Sequence, residues 1–474
     1  MPDLTQYMDL IKMIYRGIGV FYVLYLLGYS TFLFLSVVVG SSELYHRRRQ
    51  ERLKNDLTQD YFIPISIIVP AYNEEVTVEQ TVRSLLTLEY PLYEIIVVND
   101  GSKDATAQVV IDAFDLKPIH RPVQQQLKCR PMKSIYQSNA HKVSITLVNK
   151  QNGGKADSLN MGINASRYPY FICMDADSIL QYDSLSLIVR PVLEDGRVVA
   201  VGGAIRPANG VQLEQGRVVQ YHMPKKLLVG MQVLEYDRSF LASRILFDKF
   251  NGNIIISGAF GLFRKDMVIA AGGYDSSTMG EDMELAVKLH VFCRTNLIPY
   301  SIRYAPDAVC WSQAPESLKD LKNQRRRWHI GLMQCMAKHN AIFANPRYGL
   351  VSFISYFYFL LYELFSPAIE CFGILTVLMA WALQLLNVPF MILFFLIYGA
   401  FGMILTLTAF FARTQTLNQR LTPMDVARAV LFCLFEVVAL RFAIAFVRAK
   451  ALFTYRKKKP QSWGRIERKK MDVK

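Results

Sequence analysis

The sequence predicts an α/β protein in which a doubly wound domain is inserted between transmembrane α-helices, and three observations carry that prediction. Residues Gly17 to Gly40 run for 24 positions without a charge, enough to cross ~30 Å of hydrocarbon. Residues 348–448 are largely apolar again. Between these regions, apolar runs rich in β-formers end at carboxylates and alternate with segments of helical period, the pattern of parallel strands that gather ligands at their carboxyl ends.

The first apolar run is followed at once by His46-Arg47-Arg48-Arg49, so the positive-inside rule makes the next domain cytoplasmic. The run is longer than a signal-peptide core and no small-x-small site follows it, so a cleaved leader is not expected. With 474 residues, 52% of them hydrophobic and 20% charged, and a mean hydropathy of +0.19, the chain is too apolar to be wholly soluble yet leaves room for a globular domain. The reading assigns 1–45 to an amino-terminal transmembrane helix, 46–312 to the α/β domain, 313–346 to amphipathic interface helices, 347–450 to a membrane bundle and 451–474 to a basic cytoplasmic tail. Breaks at Ser366-Pro367, Asn387-Val-Pro389 and Arg413 to Asp425 divide the bundle into about four spans. A cytoplasmic domain and a cytoplasmic tail, marked by Arg456 to Lys459 and Arg468 to Lys470, require an even number of spans between them. Five spans in all place the amino terminus outside, with Arg413 and Arg420 in an outer loop. The net charge of +15 concentrates at 47–54, 322–327 and 456–470, beside the membrane, where anionic lipid attracts it; nucleic acid is not the expected partner. Cysteines 129, 173, 293, 310, 335, 371 and 433 show neither Cys-x-x-Cys pairing nor zinc spacing, which fits reduced thiols without a chemical role.

Within the domain, residues 65–70 read as a buried strand, followed by Tyr72-Asn73-Glu74-Glu75 and a helix with Val78, Val82, Leu85 and Leu86 at helical spacing. A second strand from Glu94 ends in Asn99-Asp100-Gly101-Ser102 and leads into another helix. Residues 115–143, polar and holding Pro118, Pro122 and Pro131, read as a long surface loop. Strand 143–149 then leads to Asn152-Gly153-Gly154-Lys155, a turn that can offer backbone N–H groups and an ammonium to phosphate, although such a turn alone more often just begins a helix. Phe171 to Asp177 is an apolar strand delivering two carboxylates, Asp175 and Asp177, to its end. Hard oxygen ligands so placed suit a divalent cation carrying a diphosphate, against the ordinary reading of a solvated turn. A further strand starts at Arg197. Residues 225–250 mix Leu234, Leu241 and Ile245 with basic residues, as a segment at the membrane face or as core. Ile254 to Arg264 reads as strand-turn-strand. Glu281-Asp282 opens a helix, where carboxylates commonly only complement the dipole. Gln324-Arg-Arg-Arg327-Trp328 lies in a helix with Leu318, Leu321, Trp328 and Leu332 facing one way.

Taken together, Asp100, Asp175-Ala-Asp177, Glu281-Asp282 and Gln324-x-x-Arg327-Trp328 resemble the signatures of membrane-integrated, processive family 2 glycosyltransferases, the group of poly-N-acetylglucosamine, hyaluronan, cellulose and chitin-oligosaccharide synthases. The resemblance covers about residues 60–335 with the flanking spans, and implies a GT-A-type nucleotide-sugar-binding domain. It implies that Tyr72, Glu74 and Asp100 hold the uridine of a UDP-sugar, UDP-N-acetylglucosamine or UDP-glucose, and that Lys155 and Asp175 contact its phosphates or sugar. It further implies that Asp177 binds Mg²⁺ or Mn²⁺, that Asp282, beside Glu281, is the general base of an inverting transfer, and that Gln324, Arg327 and Trp328 grip diphosphate and acceptor. Ser257-Gly258-Ala259 matches the family's turn beside the acceptor terminus. Asn99 replaces a common aspartate and Gly280 the usual threonine before Glu-Asp. Ser462-Trp463-Gly464-Arg465 resembles the family's gating loop, with Trp463 over nucleotide and Arg465 displaced by a missing threonine; a membrane-interface anchor is the other reading. Glu436 and Arg441, in the last proposed span, read as lining a path for the growing polysaccharide or as a structural pair. The resemblance places the protein in the plasma membrane of a bacterium, in contact with lipid. Whether a small accessory membrane subunit is needed stays open, and the stretch after Lys450 is too short for a fused regulatory cyclic-dinucleotide domain. Transfer of one sugar to a lipid-linked acceptor is the alternative activity, and a transporter with an inactive domain the reading from another class.

Overall fold

The computed structural model describes residues 4–54, 61–416, 419–436 and 440–454. Its apolar runs form β1 (Ile65–Ala71), β2 (Tyr93–Asn99), β3 (Lys117–Pro118), β4 (Met132–Ser138), β5 (Ile145–Lys150) and β6 (Tyr170–Cys173). They are followed by β7 (Ser178–Leu180), β8 (Val198–Pro207), β9 (Val211–Glu214), β10 (Arg217–Tyr221), β11 (Gly261–Arg264) and β12 (Ser301–Ser312). Ten of these strands make one sheet in the order β3-β4-β5-β2-β1-β6-β11-β8-β12-β7, and β9 and β10 form a separate hairpin. The centre, β5-β2-β1-β6, is parallel, and β11 runs antiparallel to both β6 and β8. The α/β class holds, with a mixed rather than uniformly parallel right half.

Central strands read as unbroken apolar runs because helices cover both faces. After α1 (Leu4–Lys54), the helices α2 (Val78–Leu86), α3 (Thr106–Ala113), α4 (Lys155–Ala165) and α5 (Ser184–Glu194) alternate with the strands. Val82, Val110 and Ile188 close one face over Ile67 and Val97. Leu159 and Ile163 of α4 close the other over Ile68 and Ile96. Two expectations need correcting. Part of the 115–143 segment is not loop: β4 pairs antiparallel with β5 and extends the sheet edge, because Ile135 packs on one face of the sheet and Tyr136 on the other. Only the second half of Ile254–Arg264 is a strand, β11; Ile254 and Ile256 are buried against side chains without joining a ladder.

The 225–250 segment forms α6 (Leu227–Glu235), a π-helical stretch Tyr236–Ala242 and α7 (Ser243–Asp248). Its apolar residues are core, packed where the domain meets the apolar helices. Leu234 packs with Phe410 and Phe432, and Leu241 and Ile245 with Leu44 and Tyr304. Next come α8 (Lys265–Ala270), α9 (Glu281–Thr295), α10 (Leu318–Lys338), α11 (Ser366–Ala382), α12 (Val388–Thr416), α13 (Pro423–Phe435) and α14 (Arg441–Thr454).

Among the described residues two helices, Tyr7–Arg47 and Val388–Gln415, are long and apolar enough to cross a membrane, and Val351–Leu364 with Ser366–Ala382, bent by 47°, make a third if taken as one span. That count differs from the five expected. Ser366-Pro367 falls at the bend of that pair, and the last apolar run is divided by residues outside the described ones. Its start is held to the domain, where Asp425 accepts from Met223 N at 3.0 Å. Its end returns there, with Leu452 against Met283 and Leu332. Arg413, expected in an outer loop, is instead buried at the domain side, within electrostatic reach of Asp237 and Asp307. The basic tail, with Trp463 and Arg465, lies outside the described residues.

Candidate active site

Ala71, Asn99 and Asn149 stand abreast in the parallel register, so Tyr72, Asp100 and Lys150 leave the sheet at one edge, beside the segment that follows β6. The two turns beyond β1 and β2 are laced together. Asn73 N donates to Ser102 Oγ at 3.0 Å, Glu74 N to Thr106 Oγ1 at 2.9 Å, and Lys103 N to Asn73 Oδ1 at 2.9 Å. Asn73 holds φ +56°, a left-handed conformation its short polar side chain tolerates. The result is a rigid floor that leaves the Tyr72 ring 44% exposed and the buried Glu74 carboxylate accepting from Thr77 Oγ1 at 2.8 Å.

A cavity of about 2850 Å³ opens above this edge. It is lined by every described residue expected in the site: Tyr72, Glu74, Asp100, Lys155, Asp175, Asp177, Ser257, Gly258, Glu281, Asp282, Gln324, Arg327 and Trp328. Asp282, in the first turn of α9, accepts from Gly258 N at 3.1 Å through Oδ2 and from Met283 N at 2.8 Å through Oδ1. Gly258 fits closely there: a Cβ would stand 3.3 Å from both the Asp282 Cβ and the Lys155 ammonium, so either would have to shift slightly. Lys155 pairs with Asp175, donates to Gly258 O at 3.3 Å and lies 3.8 Å from Glu281. Burial works against its charge, but the Asp175 and Glu281 carboxylates outweigh burial and raise its pKa. Glu281 is pushed up to about 7 by burial, with the Lys155 ammonium pulling down and the Asp282 carboxylate adding to the rise. Two neighbouring carboxylates thus sit in different environments, Glu281 buried and Asp282 partly open on the cavity wall.

The Asn152–Lys155 turn is built otherwise than expected. Gly153 N and Gly154 N, the groups available to a phosphate, donate instead to the Asp100 carboxylate at 2.9 and 2.8 Å. Asp100 also accepts from Lys150 Nζ at 2.5 Å and Asn152 Nδ2 at 3.1 Å, so its oxygens are engaged within the protein.

On α10, Leu321 and Leu332 are buried, whereas Leu318 and Trp328 are exposed, so the expected common face divides. Trp328 turns into the cavity with the Arg325 guanidinium 4.4 Å from its ring centroid. Arg325 is held by Glu235 at 2.7 Å. In the sequence nothing distinguishes Arg325 from its neighbours in Arg325-Arg326-Arg327; only the helix's placement tells which faces α6. Gly280, standing where the family's threonine is usual, touches Gly331 of α10 backbone to backbone. A Cβ on Gly331 would lie 2.8 Å from Gly280 Cα. Gly331→Ala is therefore expected to cost about 1–3 kcal/mol through overpacking and to slow turnover by tilting α10 from Asp282. A melting temperature and a kcat both equal to wild type would disprove the tight contact.

The cavity continues between the membrane helices past Tyr25, Tyr29, Tyr362, Glu436 and Arg441. Glu436 and Arg441 do not pair with one another. Glu436 takes both arms of Arg238 at 2.9 Å, and Arg441 pairs with Glu370 at 3.0 Å. Arg448 pairs with Glu363 at 2.9 Å.

Among the described residues no three or more His, Cys, Asp or Glu side chains form a ready metal cage. Asp177, on the cavity wall two residues from the Lys155-bound Asp175, fits a hard cation in the manner of Mg²⁺, held by one or two carboxylates with substrate phosphates completing its shell. The cysteines form no disulfide, and burial raises the thiols of Cys173, Cys310 and Cys335, consistent with inert packing.

The domain and its cavity have counterparts in known proteins. The chain is similar to poly-beta-1,6-N-acetyl-D-glucosamine synthase of Staphylococcus aureus (strain COL), 31% identical over 313 residues, 65% of this chain and 64% of the relative. It is 30% identical to the enzyme of that name from Staphylococcus epidermidis over 311 residues, with the same shares. The match thus spans just under two thirds of these relatives' length. In structure it resembles the mannosyltransferase PcManGT of Pyrobaculum calidifontis, solved with GDP-Man and Mn²⁺, with a TM-score of 0.50 and 19% identity over 83% of this chain and 99% of that one, which supports the GT-A-type fold. The family model "Glycosyl transferase family 2" matches residues 66–128. "Glycosyl transferase family group 2" matches residues 170–414, more than half of the chain, and with the carboxylates and α10 converging on one cavity, the chain belongs to that glycosyltransferase family.

Proposed function

We propose that this protein transfers a sugar from a UDP-sugar, with inversion, to the non-reducing end of a growing β-linked polysaccharide and guides the product through the membrane. The observation that carries the reading is the single cavity that holds Asp282, Lys155 and Trp328 and runs on between the membrane helices. The names of the staphylococcal relatives favour UDP-N-acetylglucosamine as donor. Basic residues where α1 meets the domain favour a cytoplasmic active site in a bacterial plasma membrane.

In this reading Asp282 accepts the proton of the acceptor hydroxyl as that oxygen attacks the anomeric carbon. Gly258 N holds the carboxylate in place, leaving its remaining lone pairs to the cavity. Lys155 and Arg327 supply positive charge where the departing diphosphate accumulates negative charge. Trp328, backed by Arg325, presents a fixed apolar face on which the terminal pyranose stacks, aligning its hydroxyl with the donor. Mg²⁺ or Mn²⁺ at Asp177, when bound, would supply further Lewis-acid stabilisation of the diphosphate.

The test is UDP release by the protein in nanodiscs against a panel of UDP- and GDP-sugars, with products sized. The expected result is turnover with one UDP-sugar, N-acetylglucosamine first, giving a long ladder that EDTA suppresses and Mg²⁺ or Mn²⁺ restores. Addition of a single sugar would replace this reading with transfer to a lipid-linked acceptor. Absence of turnover with any donor, with or without membrane extract, would reject an enzymatic role.

A further inference from the structure

We infer that Lys150 is a positioning residue of this active site, which works with Asp100 to hold the turn that delivers Lys155. The inference takes the proposed transfer as its setting but rests on geometry of its own. Lys150 is 0% exposed at the end of β5, and an ammonium so buried must have every donor satisfied. Each is: Nζ reaches Asp100 Oδ1 at 2.5 Å, Asp157 Oδ1 at 2.7 Å and Gln151 O at 2.7 Å.

Asp100 is the centre of the arrangement. Four donors converge on its carboxylate, two of them the Gly153 and Gly154 amides, and a carboxylate offers about four lone-pair sites. Consecutive amides of this kind make an anion-binding concavity; here the anion is the protein's own. Gly154 takes φ +91° to close the turn, and the next residue is Lys155, which pairs with Asp175 and reaches Gly258 O.

The surroundings leave the turn no slack. A Cβ on Gly153 would meet Asp157 Cγ at 2.5 Å, and one on Gly101 would meet Asn152 N at 3.1 Å. Asp157 in turn accepts from Arg130 N at 3.1 Å, so the 115–143 segment is tied to the same cluster. Without Lys150, Asp100 and Asp157 would face each other with no cation between them. The turn would then loosen and Lys155 would lose its aim at the diphosphate. Asp100 thus orders the turn from the cavity wall, where it also lies.

Hydrogen exchange and UDP binding separate these roles. In Lys150→Met, the Gly153 and Gly154 amides are expected to exchange at least about tenfold faster while the β1 and β2 amides keep their protection, and UDP affinity is expected to fall about tenfold. Adding Asp100→Asn to Lys150→Met should speed exchange at these two amides little further, since both act through one turn. If Lys150→Met does not fold, Lys150→Gln, which retains two donors, carries the same tests. Unchanged exchange at Gly153 and Gly154 would overturn the inference. So would a further large rise in that exchange on adding Asp100→Asn, because that would show Asp100 holding the turn without Lys150. Exchange needs no turnover, so a wild-type protein inactive with every donor would count against the proposed transfer while leaving this inference to be judged by the amides.

Discussion

Asp282→Asn is expected to lower kcat about 10²–10⁴-fold, the usual contribution of a positioned general base, while UDP still binds. The amide oxygen can keep the bond from Gly258 N or Met283 N, so the site's shape is retained and only proton acceptance is lost. Turnover should fall without a matching change in donor affinity, which single-turnover kinetics and UDP titration would separate. Retention of more than about a tenth of the activity would move the base elsewhere, with Glu281 the nearest carboxylate. Glu281 is less accessible to an acceptor hydroxyl, being buried and within 3.8 Å of the Lys155 ammonium.

The second large effect concerns the joint between domain and membrane helices. Arg238→Met is expected to destabilise the protein by about 3–5 kcal/mol, because removing one partner strands a buried charge. Arg238 sits on the π-helical stretch between α6 and α7, grips Glu436 with both arms and donates to Thr406 Oγ1 on α12 at 2.9 Å. One guanidinium therefore ties the interface to two later helices. The double variant Arg238→Met/Glu436→Met should regain most of the loss in thermal stability. If that stable double variant also makes shorter chains, the pair contributes to the passage as well as to stability. A single variant as stable as wild type would show that Glu436 finds other partners.

Much of this protein was readable from its sequence for a local reason. A buried parallel strand must be continuously apolar and must end where polar ligands can begin, so Ile65–Ala71, Tyr93–Asn99 and Phe171–Asp177 announced both the sheet and the edge that carries the chemistry. The Glu281-Asp282 helix start and the Gln324-x-x-Arg327-Trp328 helix were equally local, and these residues line one cavity.

The tertiary structure alone decided what lies between distant residues. That Lys150 meets Asp100, that Arg238 rather than Arg441 meets Glu436, and that Arg325 backs Trp328 are consequences of packing between elements far apart in the chain. No periodicity encodes such pairings. The last apolar stretch shows the same limit: hydrophobicity specified that it would avoid water, but not that Asp425 and Leu452 would both rest on the domain. An apolar run reports the solvent it avoids, whereas the direction in which it turns is set by the surfaces that receive it.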